Sequence, residues 1–272
     1  MRTYRFQVLN VFAESTFGGN PLAVFEDARG LSDAEQQALT DQFNLSETTF
    51  IWPSTNEAAA RVRIFSPGYE MAFAGHPTLG TAHVVRELLG KGSRFALELN
   101  IGPIQVSAEG DRWELQSAKP TWSEVVKPPS LGLRAEQVLP GARWVSTGME
   151  QLLVPLRDLE AVRECRPVEP WPRNPRGNVA LYVFAKTATG FVSRFFWAQH
   201  GVLREDPGTG SACANLGGWC LAQQQALPFE ATVNQGHALN RLNVLSLRVD
   251  AQQGIFVGGQ VVPLMRGEVR LP

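Results

Sequence analysis

No stretch of the 272 residues reaches the ~18 consecutive apolar positions that a membrane helix needs. Excess charge is also missing. The chain has 25 Lys and Arg against 26 Asp and Glu, a net charge of −1. Nothing therefore draws it over long range to nucleic acid or acidic lipid. Cysteine is scarce: Cys165, Cys213 and Cys220 are an odd number without CxxC spacing, which excludes a disulfide framework and a zinc knuckle. The opening MRTYRFQVLNVFAE lacks an apolar run ending at a small-residue cleavage pattern. No signal peptide is expected, and a cytoplasmic location is.

Several chemical signatures are absent too. His76 and His83 stand seven apart with no HExxH, so no metal site is expected. There is no Walker A sequence, and Cys213 occupies the place where a dinucleotide GxGxxG would need glycine. There is no GxSxG elbow for acyl transfer.

What the chain does carry is strand-forming sequence. Tyr4–Phe12, Thr48–Trp52, Ala60–Phe65, Phe95–Ile101, Asn178–Phe184, Phe191–Ala198 and Leu242–Val249 are rich in β-branched and aromatic residues and end at Gly, Pro or Asn. Helical patterns are fewer. Ser32 and Glu35 have capping-box spacing and open a helix to about Phe43. Pro77–Leu89, Ser211 to about Gln225 and the shorter Asp158–Glu164 read as the others. Cys213 and Cys220, seven apart on one helix, share a face and are expected in the core. Helices do not alternate strictly with strands, so the expected class is mixed α+β. The polar, Pro-containing stretch Lys119–Ser130 marks an internal boundary, with domains at 1–118 and 119–258. A short Pro- and Arg-rich loop spans Arg166–Arg176. The halves echo one another: Gly75-His76-Pro77 and Gly210-Ser211-Ala212 each open an apolar, small-residue helix, 135 positions apart. An internal duplication is the reading of that echo.

Three places could carry chemistry. Asp206-Pro207-Gly208-Thr209-Gly210-Ser211 runs into a helix start, where free N–H groups and the positive dipole end favour an anion. Thr209 and Ser211 add hydroxyl donors, and the glycines permit close approach. The same loop also serves as a capped turn without any ligand. His76 lies at the first-half helix start, a position that exposes its ring to whatever the N–H groups bind; a lone histidine is also often structural. The other histidines, His83, His200 and His237, lack that setting. Glu47 sits between a helix and a strand among apolar residues, where desolvation suits a carboxyl group to acid–base work; a surface glutamate at a strand start is the plainer reading.

Together these segments resemble the PhzF-like family of phenazine biosynthesis, which shares the diaminopimelate epimerase fold. The matching stretches are Gly19-Asn20-Pro21-Leu22-Ala23-Val24-Phe25, Asn44-Leu45-Ser46-Glu47-Thr48-Thr49-Phe50, Arg63-Ile64-Phe65-Ser66-Pro67 with Phe73-Ala74-Gly75-His76-Pro77-Thr78-Leu79-Gly80-Thr81-Ala82, and Glu205-Asp206-Pro207-Gly208-Thr209-Gly210-Ser211-Ala212. Their order spans most of the chain. The resemblance implies two pseudo-symmetric domains, each a curled, barrel-like mixed sheet around a central helix. It allows the last strand, about 259–272, to return to the first domain. It also implies a homodimer and a substrate cleft between the domains faced by both helix starts. The activity implied is a cofactor-independent isomerase that moves a proton between carbons of a small cyclic carboxylate. Glu47, His76 and Asp206 match the catalytic positions; Asn20, Gly75, Thr209, Gly210 and Ser211 match substrate-binding ones. The related epimerases use one cysteine from each half. Pairing Gly75 with Gly210 sets Cys213 opposite Thr78, and the first-half loop holds no cysteine, so a two-thiol racemase is disfavoured. A non-catalytic small-anion binder is the other alternative. Three departures stand out. The family usually has Ala where Gly208 stands and Pro where Ala72 stands, and its late Gly-Arg-Pro-Ser element is Asn240-Arg241-Leu242-Asn243 here.

Overall fold

The structure, a computed structural model, describes residues 1–199 and 201–272, with Gln199 described by its backbone alone. His200 lies outside the described residues. The chain divides into two units, one of Met1–Leu115 with Gly258–Pro272 and one of Gln116–Val257.

The first unit is built from β1 (Arg2–Val11), β2 (Asn20–Phe25), α1 (Asp33–Phe43), β3 (Glu47–Trp52), β4 (Ala60–Ser66), β5 (Tyr69–Met71), α2 (Gly75–Leu89), β6 (Arg94–Leu99), β7 (Gly102–Glu109) and β8 (Arg112–Gln116). The second contains β9 (Thr121–Trp122), β10 (Arg143–Ser146), β11 (Glu150–Pro155), α3 (Leu159–Glu164), β12 (Ala180–Lys186), β13 (Gly190–Gln199), β14 (Val202–Asp206), α4 (Gly210–Ala222), β15 (Phe229–Gln235) and β16 (Asn243–Val249). A long β17 (Ile255–Leu271) starts in the second unit and continues into the first.

In the first unit β1 is antiparallel to β2, β2 parallel to β3, β3 antiparallel to β4, β4 parallel to β6, and β6, β7 and β8 follow antiparallel. β17 then pairs with both β1 and β8, so the strands close into a ring. The second unit repeats the steps. β10 is antiparallel to β11, β11 parallel to β12, β12 antiparallel to β13, β13 parallel to β15, and β15 antiparallel to β16. Even the short partners match, β5 on β4 and β14 on β13. The shared pattern of parallel and antiparallel steps establishes two pseudo-symmetric halves of one α+β design.

Each curled sheet wraps a helix. α2 packs on β1, β2, β3 and β4, and is buried without a break from His76 to Val85. A helix enclosed on all sides cannot keep a polar face, which explains the run Thr78-Leu79-Gly80-Thr81-Ala82. α4 packs on β9, β10, β11 and β16, with Gly210, Ala212–Gly218 and Cys220 buried. Cys213 and Cys220 are core residues, as their spacing predicts. α1 and α3 cover the sheets from outside. Ser32 and Glu35 form the expected capping box, and Asp158 caps α3. Under α1, the rings of Phe25 and Phe50 stack 4.9 Å apart. Among the described residues no helix is long and apolar enough to cross a membrane.

The approach of α2 to its strands depends on a missing side chain. A Cβ on Gly80 would lie 2.6 Å from Leu22 Cδ2, 2.7 Å from Leu9 Cδ1 and 2.9 Å from Val11 Cγ2. Gly80→Ala is expected to destabilise the protein by about 1–3 kcal/mol through overpacking, read as a lower urea midpoint. Gly92→Ala, where a Cβ meets nothing within 4 Å, is the matched control and should leave that midpoint nearly unchanged.

Candidate active site

The first-unit site forms where parallel β2 and β3 begin beside the start of α2. α1 ends at Asn44, which takes a left-handed conformation with φ 50° and ψ 34°. That reversal lets the chain enter β3 only three residues later, with Glu47 as its first residue paired to Leu22 of β2. Ser46 Oγ donates to Asn20 Oδ1 at 3.0 Å, tying the two strand starts together. Two residues deeper, Thr49 and Thr81 share a hydroxyl–hydroxyl hydrogen bond of 2.8 Å, which fixes α2 along its axis relative to β3.

This register brings Glu47 and His76 together. His76 Nε2 lies 3.3 Å from Glu47 Oε2, with side-chain exposures of 7% and 15%. The expectation that the helix-start position exposes the His76 ring is corrected here: the ring is buried against the strands. Burial pushes its pKa from 6.5 down to about 3, against the opposing pull of a hydrogen bond at the Pro21 backbone. Proline offers only a carbonyl acceptor, so the imidazole donates there. His76 is thus a neutral ring anchored on β2 with Nε2 turned to a carboxyl group. Gly75 opens α2 behind it, and no side chain caps that helix end.

In the second unit, Asp206 ends β14 and Gly210 opens α4, with Thr209 at the N-cap position. Of the two hydroxyls expected as ligand donors, that of Thr209 is already engaged and that of Ser211 is not. Thr209 Oγ1 donates to Asp206 Oδ2 at 2.5 Å. Ser211 Oγ accepts from Gln151 Nε2 at 3.0 Å and keeps its own proton to give. No side chain caps α4.

Sequence reasoning missed the groups that hold this loop. Gln235 is fully buried. Its Nε2 donates to the Asp206 carbonyl at 2.8 Å and to Thr209 Oγ1 at 3.0 Å, and its Oε1 accepts from the Thr209 amide at 3.3 Å. Buried Asn215 donates to Gln151 Oε1 at 2.8 Å and accepts from Thr147 Oγ1 at 2.8 Å. An isolated Gln or Asn has no spacing signature; the only available signal was Asn215 within an otherwise apolar helix.

The structure also links two of the departures from the family pattern. Asn243 opens β16 opposite Gln235 and is fully buried. A Cβ on Gly208 would lie 2.1 Å from Asn243 Oδ1 and 2.4 Å from its Cγ. The larger Asn243 occupies the space that a methyl group on residue 208 would need, so glycine at 208 compensates for asparagine at 243.

Thiol chemistry has no foothold. Burial raises the Cys213 pKa well above the usual thiol range, and Thr78, its counterpart, donates its hydroxyl to the Ala74 carbonyl at 2.7 Å.

Comparison with known proteins agrees with this architecture. The PhzC-PhzF family model, phenazine biosynthesis-like protein, matches residues 9–267. An uncharacterized isomerase of Pasteurella multocida is 37% identical over 99% of this chain and 95% of its own length. Trans-2,3-dihydro-3-hydroxyanthranilate isomerase of Pseudomonas aeruginosa is 31% identical over 91% of each chain. A PhzF-family crystal structure from Bacillus anthracis superposes with a TM-score of 0.86 at 24% identity, covering 100% of both chains. A hydroxyproline epimerase from Agrobacterium vitis shares the fold at TM-score 0.64 and 10% identity, over 99% of this chain and 93% of its own.

Two measurements test the site's physics. A histidine whose folded pKa is depressed binds its proton in the unfolded chain first. Stability attributable to neutral His76 is therefore complete above pH 6.5 and declines as pH falls toward about 3, by roughly 1.4 kcal/mol per unit. Urea unfolding between pH 7 and 4 should show His76→Gln with a shallower pH slope than wild type by about one proton; equal slopes would refute the neutral ring. Gly208→Ala should cost about 1–3 kcal/mol by overpacking, and Asn243→Ser in the same chain should recover most of it.

Proposed function

The chain belongs to the PhzC-PhzF family of phenazine biosynthesis-like proteins and is an isomerase; from that premise we propose that it moves a proton between carbons of a small, cyclic carboxylate, with Glu47 as the acid–base group. The observation that carries this reading is the buried pair of Glu47 and His76, 3.3 Å apart.

The chemistry follows from the pair. The Glu47 carboxylate takes a proton from an activated carbon of the substrate, and the electron pair left behind spreads into the substrate's conjugated system. The protonated carboxyl group then returns the proton to another carbon. Atoms and charge balance, and the enzyme ends as it began. Because His76 keeps an N–H on the Pro21 carbonyl and stays neutral, its Nε2 offers a lone pair to the Glu47 proton between the two transfers. A charged imidazolium would hold the carboxylate in a tight ion pair and weaken it as a base; a neutral ring only steadies the proton. Positioned acid–base catalysis contributes roughly 10²–10⁴-fold. Further stabilisation falls to donors aimed at developing negative charge, and the uncapped start of α2 at Gly75 supplies such N–H groups. The family resemblance extends the reading to Asp206, Thr209, Gly210 and Ser211, with Asp206 orienting the substrate's polar groups. The name of the Pseudomonas aeruginosa relative supplies a first substrate to try.

Glu47→Gln is expected to lower solvent-deuterium uptake into trans-2,3-dihydro-3-hydroxyanthranilate by roughly 10²–10⁴-fold, while leaving its dissociation constant within a few fold. Proton exchange at the wild-type rate in this variant would remove Glu47 from the reaction. A wild-type protein that binds small carboxylates yet exchanges no proton with any of them would make it a binder of anions.

A further inference from the structure

A second cavity lies wholly within the Gln116–Val257 unit and shares no residue with the candidate catalytic set. It is a cleft of about 380 Å³, open to solvent on one side, between α3, β13 and the turn at His237–Leu239. That volume falls in the range of small-molecule sites, which are largely apolar with a few placed polar groups. Leu159, Val162 and Val192 supply the apolar wall, and Arg163, Arg166 and His237 the polar edge.

The local charges separate into structural and available ones. Arg194 also lines the cavity, but its work is internal. It forms a two-point pair with Glu205 at 3.1 and 2.8 Å and donates to the carbonyls of Val162, Arg163 and Cys165 at the end of α3. Arg166 Nη1 joins it on the Arg163 and Cys165 carbonyls at 2.7 and 2.8 Å. These donors cancel the negative pole of the α3 C-terminus, which would otherwise repel an anion. The neighbouring carboxylates are committed as well. Glu205 pairs with Arg194, Glu164 accepts from Gln137 at 2.7 Å, and Glu160 faces Arg163 at 3.8 Å with more than half its side chain in solvent. The other two guanidinium nitrogens of Arg166 have no protein partner among the described residues, and Arg163 has only its loose, exposed one. Structural capping thus accounts for Arg194 and for one nitrogen of Arg166, and leaves cationic donors over an apolar floor.

We propose that this cavity is a binding site for a small organic anion, a carboxylate carried on an apolar ring or short chain, with the carboxylate at Arg163 and Arg166 and the body against Leu159, Val162 and Val192. The turn that closes the cavity follows directly on Gln235, the residue that clamps Asp206 and Thr209, so the site adjoins the support of the Asp206 loop without entering it.

Benzoate and its neutral near-isostere benzyl alcohol test the assignment by NMR titration of the full chain. Benzoate should saturably shift the Val162 and Val192 methyl and His237 ring signals, with benzyl alcohol at the same concentration doing so at least tenfold less strongly. Arg163→Gln and Arg166→Gln should each weaken benzoate roughly tenfold, as expected for the loss of a charged hydrogen bond. Arg163 is half exposed and caps nothing, so its variant keeps the fold even if Arg166→Gln loosens α3. Equal binding of benzyl alcohol, affinity unchanged in Arg163→Gln, no saturable shift at millimolar benzoate, or shifts confined to residues around Gly75 and Gly210 would each overturn the proposal. None of these outcomes depends on Glu47, so the site and the proposed reaction fail separately.

Discussion

The structure depends on a helix enclosed by its own sheet. In the first unit β17 pairs with β1 and β8 and leaves the ring no free edge. α2 inside it has no solvent-facing side from His76 to Val85. Everything characteristic of the segment follows from that enclosure. Small residues such as Gly80 let the strands approach, hydroxyls such as Thr81 must find partners inside the barrel, and the first-turn N–H groups emerge at the mouth. Neither Ala74 nor Thr209 caps its helix with a side chain. An uncapped start is unfavourable in an ordinary surface helix. Here both central helices keep a start, with its positive dipole end, that no side chain caps.

Much of this architecture was legible in the sequence because its elements are dictated locally. β-branched and aromatic runs such as Phe191–Ala198 and Ala60–Phe65 form strands, the Ser32–Glu35 spacing forms a capping box, and the helix starts at Gly75 and Gly210 are where the small-residue runs place them. The Glu47–His76 neighbourhood was legible only as two separate candidates and a family pattern. Their contact requires parallel pairing of β2 with β3 and the Thr49–Thr81 tie, both long-range facts. The least legible residues were Gln151, Asn215 and Gln235. Each is a polar residue of the kind usually found at a surface, and only the closed sheet around them makes their burial tolerable by pairing their donors and acceptors.

Burial acts differently on the ionisable groups it covers, and the difference shapes the chemistry. It drives the His76 imidazole to its neutral form and also raises the Cys213 thiol, which keeps that group protonated. The same low-polarity interior therefore removes a cation and a nucleophile. The carboxyl group of Glu47, held at a strand start rather than deep on the helix, keeps 15% of its side chain exposed. Its partner is the neutral His76 ring, 3.3 Å away.

One fold tolerates wide change in sequence: the hydroxyproline epimerase shares the architecture at 10% identity. Position four of each central helix here carries Thr78 and Cys213, one bonded back to its own helix and the other sealed in the core. With those positions turned inward, neither offers an exposed group beside its helix start. β3 instead sets Glu47 beside the start of α2, because its parallel pairing with β2 begins there. The Gly208–Asn243 contact shows how loop and support fit in the second unit: the bare Cα of Gly208 leaves room for the Asn243 side chain, and the Gln235 clamp holds the Asp206 backbone beside it. Shape at the loop is therefore set by the 208–243 pair, while the backbone that presents Asp206 is held separately by Gln235.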